Sequence, residues 1–82
     1  PSDGPCLVWT DGHFSMGGTE VIAWEPYAGG VRLQVKWLWP TPLTLRVAPA
    51  PGKRFASARA DGLAEIRLEG PLASRWLDLP YA

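Results

Sequence analysis

Apolar residues recur along this chain mostly at every second position, and clusters of Gly, Pro and Asp interrupt the alternation at short intervals. That is the period of half-buried strands rather than of helices, and it predicts an all-β fold. Residues 6 to 10 read as a first strand ending at Asp11-Gly12, and residues 13 to 18 as a loop with a break at Gly17-Gly18. Residues 19 to 26 and 31 to 39 form the clearest pair. With Tyr27-Ala28-Gly29-Gly30 as a four-residue hairpin loop, Trp24 faces Leu33, Ile22 faces Val35 and Glu25 faces Arg32. This register gathers the bulky apolar residues on one face and an ion pair on the other. Trp24 and Trp37 are expected inside, and so is Trp9, which shares a face with Leu7.

Pro40-Thr41-Pro42 holds the preceding residues extended and predicts a corner that takes the chain from one sheet to another. Residues 43 to 48 follow as a strand with Leu43, Leu45 and Val47 inward and Thr44 and Arg46 outward, closed by Pro49-Ala50-Pro51-Gly52. Residues 53 to 60 fit either a strand or a single helical turn, because their alanines leave the period undecided. After Asp61-Gly62, residues 63 to 69 alternate again, and Gly70-Pro71 separates them from a last strand over 72 to 79. Six to seven short strands at this spacing predict a small antiparallel β-sandwich or partly open barrel. Residues 1 to 82 read as a single β domain without repeat or linker.

Composition narrows the chemistry. At 82 residues the chain buries only somewhat more than about 60% of its unfolded surface, so a few large side chains must carry the core. Five Trp are available for this. Eight Lys+Arg balance eight Asp+Glu, which argues against a nucleic-acid partner, and the cluster Arg46, Lys53, Arg54 and Arg59 reads as solubilising charge. No apolar run is long enough to span a membrane. The single Cys6 excludes an internal disulfide framework.

Catalysis finds little support. Asp11, His13 and Ser15 lie two apart, so an extended segment lines them up along one side instead of folding them into a triad. One His, one Cys and scattered carboxylates supply too few ligands for a metal, and nothing in the chain calls for a cofactor.

The exposed aromatics remain. If Gly70-Pro71 is a two-residue hairpin connection, Trp76 joins Glu65, Arg67 and Ser74 on the outer face of the last hairpin, with Asp78 beside it. A register shifted by one residue puts Trp76 inside instead. Trp39 at its strand end, Tyr27 in the hairpin loop and Tyr81 near the C-terminus are further candidates for exposure. The expected contact set is therefore Trp76, Arg67, Glu65, Asp78, Trp39, Tyr27 and Tyr81. An exposed indole among polar groups suits stacking on a sugar or anchoring a protein contact. The expected function is a non-enzymatic binding or accessory module that engages a carbohydrate or a protein surface. One alternative is a structural subunit that self-associates or packs by its sheet edges into a larger complex; another is a small enzyme using the Asp11/His13 region.

Overall fold

A computed structural model describes residues 4–10 and 21–82. Six strands are present among them: β1 (Cys6–Thr10), β2 (Val21–Tyr27), β3 (Gly30–Trp37), β4 (Leu43–Ala48), β5 (Ala64–Leu68) and β6 (Leu72–Pro80). They form two antiparallel three-stranded sheets, ordered β1-β4-β5 and β2-β3-β6. The sheets pack face to face as an open sandwich, one of the two architectures expected. The Asp11, His13 and Ser15 group lies outside the described residues.

The core is made by the two central strands. Val31, Leu33, Val35 and Trp37 of β3 meet Leu43, Leu45 and Val47 of β4, all of them buried, because alternate residues of each strand point to the same face. Residues 38 to 42 do carry the chain between sheets, as the two prolines predict. The corner is fastened by Trp37, whose Nε1 donates to the Thr41 carbonyl at 2.6 Å. Leu43, Leu45 and Val47 face inward and Arg46 outward, as expected, and Thr44 is also largely covered.

The β2–β3 hairpin keeps the expected register from Ala23 to Tyr27, with Trp24 opposite Leu33 and Glu25 opposite Arg32. Two details differ. The loop is the two-residue Ala28-Gly29 turn, since Tyr27 and Gly30 are themselves paired. Beyond Ala23 a β-bulge inserts one residue, so Val21 rather than Ile22 faces Val35 and Ile22 is exposed. One extra residue reverses the parity of everything before it.

A second bulge, at Val8, overturns the placement of Trp9. Leu7 pairs with Val47 and faces the core, but the next pairing is Trp9 with Arg46, which puts the indole on the outer face, 41% exposed. Cys6, on the same strand, is a free and exposed thiol.

The last hairpin does not form. β5 pairs with β4, whereas β6 crosses at Gly70-Pro71 to the other sheet and pairs with β3. Gly70 permits the crossing because a Cβ there would overlap the Trp39 carbonyl and lie 2.7 Å from Trp37 Cδ1.

Residues 53 to 60 are neither strand nor helix. They form turns that carry Phe55 into the core, where it is 1% exposed. A single bridge between Phe55 and Tyr81 ties this loop to the chain end, with Ala56 N donating to Pro80 O at 2.9 Å and Ala82 N to Arg54 O at 2.8 Å. The loop arises from one sheet and the end of β6 belongs to the other, so the bridge closes that end of the sandwich.

Candidate ligand-binding face

The change of partner for β6 redistributes the expected contact set. Tyr27, Trp76 and Asp78 come together on the outer face of the β2-β3-β6 sheet, whereas Glu65 and Arg67 lie on the outer face of the other sheet. Trp39 is half exposed at the corner beyond β3, beside Leu38. Tyr81 is less exposed than expected. It is half-buried and stacks on Phe55 with ring centroids 5.2 Å apart, and its hydroxyl accepts a hydrogen bond from Ala50 N at 3.1 Å.

On the β2-β3-β6 face, the residues follow from register. Glu25, Arg32 and Asp78 form one rung across the three strands, and Gln34 and Trp76 face each other one step further along the same side. The Arg32 guanidinium lies over the Trp76 ring, 4.4 Å from its centroid, and its Nη1 is 3.7 Å from Glu25 Oε1. A cation seated on an aromatic face within about 6 Å is attracted by the ring quadrupole. The exposed ion pair contributes little to stability by itself; its effect is to hold the guanidinium where it supports the indole. Gln34 Nε2 donates to Ser74 Oγ alongside. Trp76 thus stands among ordered neighbours while remaining 42% exposed.

Tyr27 is fixed at both ends. Its hydroxyl donates to Asp78 Oδ1 at 2.6 Å, spanning from β2 across β3 to β6. Beneath the ring is the turn: a Cβ on Gly29 would come within 3.0 Å of Tyr27 Cε2. A side chain at that position would push the ring away, so glycine lets the ring rest on the backbone. The hydrogen bond to Asp78 raises the Tyr27 pKa above its ordinary value of 10.0, with partial desolvation and the Asp78 charge adding and Arg32 opposing. The neutral phenol is the form that donates, so this contact is complete below pH 10 and is lost as pH rises through the elevated pKa. Spectrophotometric titration at alkaline pH should show one tyrosine ionising late, and Asp78→Asn should move that tyrosine to lower pH. Identical titrations of the two proteins would refute the contact.

Glu25, Arg32, Gln34 and Ser74 belong to this face but not to the expected contact set, and Arg32 is the one that touches Trp76. Its pairing with Glu25 is visible in the hairpin register, but its place over Trp76 depends on β6 joining β3, a long-range choice that local alternation does not encode.

Two of the four residues of the basic cluster noted in the sequence are neutralised. Arg46 Nε and Arg59 Nη1 both reach Glu65 Oε2, at 2.9 and 2.8 Å, and Arg59 also pairs with Asp61 at 3.2 Å. Lys53 and Arg54 sit apart in the long loop. Among the described residues no group of three or more His, Cys, Asp or Glu side chains could hold a metal ion, and no helix is long and apolar enough to cross a membrane.

Comparison with protein-family models, with curated proteins and with solved structures finds no match to this chain.

Proposed function

We propose that this chain is a non-enzymatic binding module whose ligand face is the outer side of the β2-β3-β6 sheet, with Tyr27 and Trp76 as platforms for an uncharged carbohydrate. The observation that carries this reading is the fixing of two half-exposed aromatic rings by their neighbours, Tyr27 by Asp78 and Gly29, and Trp76 by Arg32 held to Glu25. Rings already ordered lose little conformational freedom on binding. Between and around them lie donors and acceptors of both kinds, in Arg32, Gln34, Ser74, Glu25 and Asp78, which suits the hydroxyls of a sugar whose C–H face rests on an aromatic ring.

Two features favour a glycan over a protein contact on this face. The rings are islands separated by Arg32 and Asp78, whereas a stable protein interface has a contiguous desolvated centre within about 800 Å² per partner. The charges on the face are also of both signs, with Arg32 paired to Glu25 and Asp78 engaged by the Tyr27 hydroxyl, which leaves no single-sign patch to complement. Assembly through sheet edges has less in its favour. β1 and β2 carry bulges, β2 and β6 carry Pro26 and Pro80, and in β6 both Ala73 and Ser74 oppose the single residue Lys36. Such interruptions blunt edge-to-edge pairing.

The test is Trp76→Ala against a panel of neutral hexasaccharides of glucose, xylose, mannose and N-acetylglucosamine. Binding should weaken by at least about 2 kcal/mol, some thirtyfold. The melting midpoint in urea should change little, because the side chain is half exposed. A stable mutant that binds as well as the parent would place the ligand face elsewhere, with the exposed Leu38–Trp39 corner the next surface to examine.

A further inference from the structure

The outer face of the second sheet repeats the arrangement that organises the first. Trp9 of β1, Arg46 of β4 and Glu65 of β5 form a single rung across that sheet. The Arg46 guanidinium lies 4.5 Å from the centroid of the Trp9 ring, and its Nε donates to Glu65 Oε2 at 2.9 Å. On the other sheet the corresponding distances are 4.4 Å from Arg32 to the Trp76 centroid and 3.7 Å from Arg32 to Glu25. In both sheets one edge strand supplies the Trp, the central strand the Arg that covers one side of it, and the other edge strand the Glu that holds the Arg. The two indoles are also alike in exposure, 41% for Trp9 and 42% for Trp76.

We infer that the module is bivalent, with Trp9 the centre of a second site for the same class of ligand, an uncharged glycan chain, on the opposite side of the sandwich. This rests on the reading of the Trp76 face given above. The bulge at Val8 turns Trp9 outward, whereas Trp37 is turned into the core. The ligand class follows from charge. Arg46 and Arg59 are both engaged by Glu65, and Arg59 by Asp61 as well, so among the described residues the arginine that touches Trp9 and its neighbour are paired within the protein. An anionic chain would have to break these pairs, whereas an uncharged one need only lie on the exposed part of the ring and hydrogen-bond to the groups around it.

Among the described residues the second face has no counterpart of Tyr27: across from Trp9 stand Glu65 and, further along β5, Arg67. It is therefore the weaker of the two sites. Because the sheets face away from each other across a body 23 by 21 Å in its shorter dimensions, one glycan chain lying along one face does not cover the other. Two chains can be held by one molecule, which makes the module a cross-linker of polysaccharide.

The inference is tested with the full chain and soluble neutral polysaccharides (β-glucan, xylan and galactomannan), together with the hexasaccharide of whichever polymer binds. Titration calorimetry should give two molecules of hexasaccharide per protein, with affinities differing by about tenfold, the difference that 1.4 kcal/mol produces. The parent should cross-link the polymer, read as a rise in light scattering. Trp9→Ala should lower the stoichiometry to one and abolish cross-linking while leaving the tighter site intact. Trp9→Leu, which keeps an apolar side chain on the strand, should do the same if the alanine variant proves unstable. A stoichiometry of one in the parent, or cross-linking by folded Trp9 variants equal to that of the parent, would overturn bivalency and leave the Trp76 site standing. Loss of neither site in Trp76→Ala, or no binding to any of the polymers, would overturn the underlying reading and bivalency with it.

Discussion

Replacing Phe55 with alanine is expected to cost about 3–5 kcal/mol, the range for emptying a fully buried aromatic site. A domain of this length has about 4–12 kcal/mol of stability in total, at roughly 0.05–0.15 kcal/mol per residue. The substitution should therefore leave the protein marginal or unfolded at room temperature. Phe55 is 1% exposed, stacks on Tyr81 and sits at the one bridge joining the long loop to the chain end. Its loss removes core volume and also loosens the closure between the sheets. Lys53→Ala in the same loop is exposed and should change stability by no more than about 0.5 kcal/mol. Urea melts of the two variants check this. A Phe55→Ala protein as stable as the parent would mean that the loop does not close the core.

Gly30→Ala carries the second large effect. Gly30 has φ of 152°, and a Cβ at this position would overlap the Leu79 carbonyl oxygen and come within 2.9 Å of Pro80 Cα. Both obstacles are backbone of β6, the strand paired with Gly30, so they cannot swing aside as a side chain would. Strained backbone of this kind costs about 1–3 kcal/mol, and forced repacking adds about the same again. The expected loss is at least 2 kcal/mol, near the upper end if β6 must separate from β3. Gly52 is the comparison: its φ is also positive, at 79°, but nothing lies within 4 Å of a Cβ there. Gly52→Ala should cost only about 1 kcal/mol. Equal effects at the two glycines would show that close approach of β6 to Gly30 is not a determinant of the fold.

These effects mark where local pattern carries structural information and where it does not. The Pro40–Pro42 corner, the inward set of β4 and the Glu25–Arg32 pairing were all legible, because each depends on neighbours in the chain or on one tight turn. Trp9 and Ile22 were misplaced for a common reason. A bulge adds a residue without changing composition, and period-two counting then assigns every residue beyond it to the wrong face. The choice of β3 over β5 as the partner of β6 is long-range. Gly70-Pro71 has the composition of a turn whether the chain returns along its own sheet or crosses to the other.

Phe55 was hidden differently, as one apolar residue in an alanine-rich stretch with no period to reveal it. Tyr81 looks like an exposed terminal residue until the Phe55 bridge draws it in. For the contact face, the consequence is specific. Trp76, Asp78 and Tyr27 could be named from exposure arguments, but their assembly with Arg32 into one surface depends on the β3–β6 pairing. Glu65 and Arg67, adjacent to Trp76 in the expected hairpin, belong instead to the face that carries Trp9.

We propose that the outer face of the β2-β3-β6 sheet binds an uncharged glycan through Tyr27 and Trp76. The decisive measurement follows the five tryptophan indole N–H signals of the full chain in ¹H–¹⁵N NMR spectra while neutral hexasaccharides are added. The Trp76 signal should move first, together with the backbone amides of Arg32, Gln34 and Asp78. The Trp37 signal, held by its hydrogen bond to the Thr41 carbonyl in the core, should stay in place. Shifts confined to Trp39 and its neighbours, or spectra that remain unchanged for every sugar in the panel, would contradict the proposal.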